Sequence, residues 1–280
     1  MKFLRNIENG AINIKKMGII KGFLVISLSI LLEMLGQVPQ EFLNLFSGKF
    51  EKSVPYVIFV ASVFVKFYVV IILLKWLSNS RNEQKLKYHL NPMSYVFAAL
   101  MIIAFRMIFD NSLTLWVSNI SMPNFINGTF KELSVSPVIS MLSAIVIAPI
   151  YEEIIFRGIL LKGMTKKINP AIALVVSALL FALVHFNIQQ GINAFFLGLV
   201  IGFIYLTTES IYLSIFAHFI NNLLALSVSS RFVLIGGRYA MRVHGIFFIL
   251  GVIFLFIACM GYQQNKIKNV PDIYAQFIEI

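Results

Sequence analysis

The stretch PVISMLSAIVIAPIYEEIIFRGILL, residues 137–161, has the length and apolar content of a membrane-spanning helix. It nevertheless contains three charged side chains, Glu152, Glu153 and Arg157. A charged group at membrane depth is unfavourable by about 2.5–3.5 kcal/mol on insertion scales, so it is retained where it has a partner or faces a cavity. This one segment therefore predicts a membrane fold and a functional site inside it.

The rest of the chain has the same character. Its 280 residues are 59% hydrophobic and 12% charged, with a mean hydropathy of +0.86, which excludes an ordinary soluble domain. Eight apolar runs have roughly the 20 residues that cross a bilayer, and none shows the short alternating pattern of a membrane barrel. The predicted spans are 18–36, 54–77, 92–109, 137–161, 168–186, 191–208, 211–229 and 243–262. We therefore predict an all-α fold, a polytopic membrane helix bundle of about eight transmembrane helices.

The formal net charge of +11 comes mainly from basic residues in the short segments that flank these spans. Most lie on the side of the N-terminus, including Lys15, Lys16, Lys166 and Lys167. Such a bias predicts a multi-pass protein of the cell membrane with both termini in the cytoplasm, in contact with the lipid bilayer. Because the charge forms no single basic surface, nucleic acid is not predicted as a partner.

Polar residues divide the chain into three regions. Residues 1–136 hold three spans and a long outer loop, with the scattered single charges Glu33, Lys66 and Arg106, of which Arg106 is predicted at the membrane interface. Residues 137–229 hold four spans with clustered polar residues and are the predicted catalytic core. Residues 230–280 hold the last span and the tail.

The first polar cluster is Glu152, Glu153 and Arg157. On a helix, Glu153 and Arg157 are four residues apart and can pair, while Glu152 points about 100° away from Glu153. A carboxylate without a cationic partner is a candidate general base. The same three residues are equally compatible with a role in bracing neighbouring helices.

Two further clusters follow in the predicted core. In FALVH, Phe181 and His185 would share a helix face, and in HFINN, His218 and Asn222 are one turn apart. A histidine and an amide directed at one place can stabilise an oxyanion. Each cluster alone is also explained by hydrogen bonding between membrane helices.

The three clusters together resemble a known family. EEIIFR, FALVH and HFINN match, in order, the motifs E-E-x-x-x-R, F-x-x-x-H and H-x-x-x-N of the CPBP (Abi) family, which includes CAAX proteases and bacteriocin-processing enzymes. The resemblance covers about residues 137–229. It implies an intramembrane endopeptidase related to the type II CAAX prenyl endopeptidases.

The resemblance also implies roles for individual residues. Glu152 would activate a water molecule and His185 would help to hold it, while His218 and Asn222 would stabilise the oxyanion. The positions that match the supporting part of the first motif are Glu153 and Arg157.

A zinc site is the alternative mechanism, since two histidines and a glutamate could leave a position open for water. The chain has no H-E-x-x-H motif, and too few ligands remain if His218 belongs to the oxyanion clamp. The sequence therefore favours catalysis without a metal or other cofactor.

The substrate implied is a peptide or a membrane protein, and the resemblance points to bacterial peptide maturation or bacteriocin self-immunity. The alternative function is that of a non-proteolytic regulator that binds another membrane protein, such as a sensor kinase. A transporter would require polar residues distributed along a path, and the sequence has no such distribution.

Overall fold

The computed structural model describes residues 2–8, 11–45, 54–79, 92–117, 120, 137–232 and 240–264. The helices are α1 Lys2–Glu8, α2 Ile19–Leu45, α3 Val54–Leu77, α4 Pro92–Asp110, α5 Leu113–Val117, α6 Pro137–Thr165, α7 Pro170–Leu183, α8 Ile188–Thr208, α9 Ile211–Phe232 and α10 Ala240–Gln264. Two short strands, β1 Asn13–Ile14 and β2 Ser78–Asn79, pair antiparallel. Apart from this pair, the described residues form helices and the turns between them, as predicted.

Six helices, α2, α3, α4, α6, α8 and α10, are long and apolar enough to cross a membrane within the described ranges. The protein is therefore a polytopic helical membrane protein. The other two predicted spans, 168–186 and 211–229, coincide with α7 and α9, which contain shorter apolar stretches. Eight spans of full length are thus not present among the described residues.

The predicted fifth span is longer than the helix that forms. α7 has 14 residues, about 21 Å of helix against a hydrocarbon core of about 30 Å. It ends because Val184 and His185 form a turn, Phe186 has a positive φ of 49°, and the Asn187 side chain caps α8 by accepting from two backbone N–H groups. His185 therefore lies just beyond the helix, and its predicted position on a helix face is wrong.

The central element is α6, a continuous helix with two π-helical segments, Ser143–Ile147 and Ile154–Leu161. Such segments are rare and concentrate at functional sites. The second segment is buried throughout its length. The glutamates of the first motif lie between the two segments.

The other helices surround α6 on two sides. α2 and α3 pack against each other, and both contact α6. α7, α8 and α9 also pack against α6. α4 packs against α8, α9 and α10. The first three predicted spans thus serve two purposes, because α2 and α3 support α6 whereas α4 approaches the helices of the core.

Two glycines permit close packing of α7 on α8. Gly198 and Gly202 are four residues apart on α8, and a Cβ atom on Gly198 would lie 3.1 Å from the backbone Cα of Ala178. A Cβ atom on Gly202 would overlap the side chain of Leu174. Small residues at this spacing allow membrane helices to approach closely.

We expect Gly198→Leu to lower the free energy of unfolding by about 3 kcal/mol, because the added side chain would push α7 away from α8. Thermal unfolding of the purified protein in detergent measures this. Gly245→Leu is the matched control, since a Cβ atom added at Gly245 would meet no other atom within 4 Å. Equal unfolding midpoints for the two variants would contradict the close packing.

A polar cluster joins α2 and α3 to the side of α6 that carries Tyr151. Lys66 Nζ lies 2.6 Å from Glu33 Oε2, and the hydroxyl of Tyr151 donates to Glu33 Oε1 at 2.6 Å. Lys66 Nζ also lies 4.4 Å from the centre of the Tyr151 ring. Glu33 and Lys66 are thus paired with each other, and the cluster fixes α2 and α3 next to the residue that precedes Glu152.

We expect Lys66→Met to lower the free energy of unfolding by about 2 kcal/mol, because Glu33 would keep its charge without a cation nearby. The double variant Glu33→Gln with Lys66→Met should recover most of this loss. Thermal unfolding of the wild type, both single variants and the double variant measures the coupling. Additive effects of the two substitutions would show that the pair does not interact.

The N-terminal segment is fixed at one end of the bundle. Met17 N–H donates to Gly163 O at 2.9 Å, and Lys166 Nζ donates to Ile14 O at 2.8 Å. Glu8 accepts from the Ser210 hydroxyl and from Ile211 N–H at 2.8 and 2.7 Å, so it caps the start of α9. These contacts connect α1 to the start of α9, and β1 and the segment after it to the lysine-rich end of α6.

Candidate active site

A cavity of about 570 Å³ is lined by residues of α4, α5, α6, α7, α8 and α9. Its size falls within the roughly 300–1,000 Å³ of typical ligand sites. Four of the sequence-predicted residues line it, namely Glu152, His185, His218 and Asn222. The structure therefore brings all three motifs to one cavity.

Glu153 lies between Arg157 and His218. Its Oε1 accepts from Arg157 Nη1 at 2.8 Å and from His218 Nδ1 at 2.7 Å. The Glu153 and Arg157 side chains are 0% and 1% exposed. Arg157 Nη2 also donates to Gly198 O at 3.0 Å. The pair predicted from the four-residue spacing is present, and it is completely buried.

This contact determines what His218 can do. The carboxylate of Glu153, paired with Arg157, is an acceptor, so Nδ1 of His218 carries the hydrogen between them. In the neutral ring, Nε2 then has a lone pair. Nε2 lies 3.8 Å from Glu152 Oε2, which is too long for a direct hydrogen bond and short enough for one water molecule to bond to both atoms.

Glu152 differs from Glu153 in its surroundings. Its side chain is 25% exposed and lines the cavity. In the part of the chain that the structure describes, no Lys or Arg forms a salt bridge with it, and His218 is its one ionisable partner within 4.0 Å. One glutamate of the pair is thus neutralised by Arg157, and the other faces the cavity.

The ring of Phe181 contacts both histidines of the site and Arg157. Its ring lies 5.1 Å from the ring of His185 and 5.8 Å from that of His218, both edge to face. The guanidinium of Arg157 lies 5.0 Å from the ring centre. Edge-to-face and cation–π contacts of this kind fix relative orientation. Phe181 therefore fixes the orientation of His185, His218 and Arg157 relative to one another.

Asn222 completes the first π-helical segment. Ala148 N–H donates to Ser143 O, and Pro149 has no N–H, so neither supplies a hydrogen to the carbonyl of Ala144. Asn222 Nδ2 donates to this carbonyl at 2.8 Å. One N–H of the Asn222 amide remains, and Asn222 Oδ1 accepts from Asn221. The amide is thus fixed at the cavity by a carbonyl that the proline left without a partner.

His185 is held by the last turn of α7. Its Nδ1 donates to Phe181 O at 2.8 Å, and among the described residues no hydrogen bond or ion pair joins it to Glu152. The histidine next to Glu152 is His218. His185 lines the cavity with an acceptor nitrogen available in its neutral form.

Arg106, which the sequence predicts at the membrane interface, is buried within the protein. It is 9% exposed, pairs with Asp110 at 2.8 Å, and lines the cavity together with Asp110. The available signal was an arginine and an aspartate four residues apart at the end of an apolar run. The packing of α4 against α9 turns this pair toward the core.

The candidate ligands for a metal are Glu152, His185 and His218, the two histidines and the glutamate of the alternative mechanism. Within the described ranges, no group of three or more His, Cys, Asp and Glu side chains has an arrangement that could hold a metal ion. The histidine nearest to Glu152 already uses Nδ1 for Glu153. The arrangement of the described side chains thus does not fit a zinc ion.

Comparison with known proteins gives a match to a protein family and a match to a curated relative. Residues 134–224 match the family described as type II CAAX prenyl endopeptidase, Rce1-like. YdiL of Bacillus subtilis (strain 168), described as a candidate membrane peptidase, is 35% identical over 86 residues. That alignment covers 31% of this chain and 35% of YdiL, so the match spans about a third of each protein. No solved structure matches the chain.

The matched segment contains the three motifs and every residue of the Glu153, Arg157, His218 and Glu152 cluster. α2, α3, α4 and α10 lie outside it. Residues 134–224 are thus similar to the Rce1-like family of type II CAAX prenyl endopeptidases.

Proposed function

We propose that this protein is an intramembrane endopeptidase that hydrolyses a peptide bond with a water molecule activated by Glu152. The observation that carries the proposal is the arrangement of three side chains. Glu152 lines the cavity 3.8 Å from Nε2 of His218, and the other nitrogen of that ring is fixed by Glu153. Two acceptors separated by this distance can orient one water molecule for attack.

The reaction follows from these acceptors. Glu152 removes a proton from the water while Nε2 of His218 accepts the second hydrogen as a hydrogen bond. The water oxygen bonds to the carbonyl carbon, and the electron pair of the C=O double bond moves to its oxygen. When this intermediate collapses, the C–N bond breaks and Glu152 returns its proton to the leaving nitrogen. The products are a new carboxyl terminus and a new amine.

The oxyanion requires a donor, and Asn222 has one N–H left after its bond to Ala144 O. His218 accepts a hydrogen in the ground state, so we assign it to the water rather than to the oxyanion clamp. His185 offers an acceptor nitrogen, which suits a substrate N–H or the water. The motif pattern implied that His185 holds the water and that His218 stabilises the oxyanion. In this proposal His218 holds the water instead.

The membrane arrangement that we propose has eight helices, with α7 and α9 added to the six candidate spans, and both termini in the cytoplasm. The lysine-rich end of α6 would then face the cytoplasm. Ala144, on the cavity wall, lies about 33 Å along α6 from Lys166, which would put the cavity toward the outer side. A secreted peptide fits this side, so we propose peptide maturation or bacteriocin self-immunity as the biological role, with residues 137–229 as the catalytic core.

The test compares peptides in the membranes and medium of cells that carry the wild type, Glu152→Gln or a deletion. Mass spectrometry should detect a cleaved product with the wild type that is missing from the other two strains. Glu209→Gln is the matched control, because Glu209 follows α8 at the end opposite to the cavity and should preserve the product. Identical peptides in all strains would contradict the proposal.

We expect the cleavage rate to be unchanged after treatment with EDTA and 1,10-phenanthroline. The physical reason is that Glu152 and His218 are sufficient to bind and deprotonate the water. The purified protein in detergent, assayed on the peptide found in cells, gives the measurement. A loss of activity that zinc restores would require a metal in the mechanism.

A further inference from the structure

The wall of the cavity contributed by α4 carries a charged pair that lies outside the family-matched segment. Arg106 Nη2 is 2.8 Å from Asp110 Oδ2. Arg106 is 9% exposed and its Nε has no hydrogen-bond partner among the described residues. Both side chains line the cavity that contains Glu152. A guanidinium buried this far is unfavourable unless its donors are used, and Asp110 occupies one of them.

The wall contributed by α8 also carries polar groups that the protein does not use. Gln190 and Asn193 line the same cavity, and their side chains have no hydrogen-bond partner within the part of the chain that is described. Each primary amide has both a donor and an acceptor. The two walls thus offer donors and acceptors that the protein itself does not use.

We propose that Arg106 and Asp110 bind the main chain of the peptide substrate, an inference that rests on the proposed endopeptidase function. Arg106 donates to a backbone carbonyl oxygen and Asp110 accepts a backbone N–H. Each peptide unit presents one such acceptor and one such donor. Hydrogen bonds with a charged partner are stronger than neutral ones, which matters where water is scarce and each polar group needs a partner.

A neutral peptide group fits this site better than a substrate carboxylate. The charged side chains that line the cavity, Arg106, Asp110 and Glu152, carry one net negative charge when the histidines are neutral. A carboxylate would add a second negative charge in a low-dielectric site. Because the backbone groups inside a helix are already bonded to each other, the bound segment of the substrate is extended.

Binding of peptide pools to full-length Glu152→Gln protein in detergent tests the inference without cleavage. The probes are three pools of N-acetylated nonapeptides of random apolar sequence: C-terminal amides, the same peptides as free acids, and amides methylated at alternate backbone nitrogens. Affinity selection followed by mass spectrometry measures retention. The amides should be retained at least as well as the acids, and the methylated pool about 10-fold less than the amides.

Adding Arg106→Gln should lower retention of the amide pool by about 10-fold. Adding Arg242→Gln, an exposed arginine on α10, should leave retention unchanged. Gln190→Leu combined with Asn193→Leu provides a second test on the wall contributed by α8, in case Arg106→Gln does not fold. This double substitution should also lower retention severalfold.

Equal retention of the methylated pool, or no retention of any pool, would overturn the inference. A preference for free acids that disappears with Arg106→Gln would overturn it in favour of a carboxylate site. The proposed function is tested separately by giving the retained peptides to the wild type. If the retained peptides stay intact, the result contradicts proteolysis but not the peptide-binding site. If they are cleaved at a rate that does not depend on Arg106, the result contradicts the binding site alone.

Discussion

Replacing Glu152 by glutamine is expected to lower kcat by about 10³-fold, with little change in the unfolding temperature. The amide keeps the shape of the side chain and cannot accept a proton from water at neutral pH. Glu152 is partly exposed to the cavity and has no Lys or Arg partner among the described residues, so the substitution breaks no buried ion pair. Assays of purified protein on the peptide identified in cells, together with thermal unfolding, measure both quantities.

Glu152→Asp is the informative companion variant. It retains a base one methylene further from His218, so its activity should lie between that of the wild type and that of Glu152→Gln. A Glu152→Gln enzyme that retains wild-type kcat would exclude this residue as the base. A large fall in its unfolding temperature would instead indicate a structural role.

The second large effect is expected from Arg157. Arg157→Met should lower the free energy of unfolding by about 3–5 kcal/mol, because it leaves the fully buried Glu153 without its cation. The double variant Glu153→Gln with Arg157→Met should recover most of this stability, since no uncompensated charge remains. Thermal unfolding in detergent gives the comparison.

The same double variant separates stability from catalysis. A glutamine at position 153 can still accept from Nδ1 of His218 but lacks the negative charge that supports the ring, so kcat should stay at least about 10-fold below the wild type. Recovery of both stability and activity would mean that Glu153 and Arg157 serve folding alone. A double variant as unstable as Arg157→Met would contradict the charge argument.

Much of the membrane fold could be predicted from the sequence because the bilayer imposes a simple requirement on length and polarity. Val54–Leu77 was predicted at its observed bounds, since polar residues follow the apolar run directly. The pairing of Glu153 with Arg157 was also predictable, because a four-residue spacing on a helix is sufficient to bring the two side chains together.

Other features depend on tertiary structure and could not be read from the pattern. The apolar run continues through His185 and Phe186, although the helix ends at Leu183 and Phe186 adopts a left-handed conformation. Arg106 reaches the cavity because of how α4 packs, and no local signal gives that orientation. The bond from Asn222 to Ala144 O requires a π-helical segment next to Pro149, which sequence spacing does not reveal.

Hydrolysis of the cellular substrate in H₂¹⁸O tests the central claim most directly. Purified wild type and Glu152→Gln would be incubated with the uncleaved peptide, and mass spectrometry would follow the new carboxyl terminus. We expect a single ¹⁸O atom in that carboxylate from the wild type and almost no product from Glu152→Gln. Labelled product formed at the same rate by both proteins would contradict the role of Glu152 in activating the water.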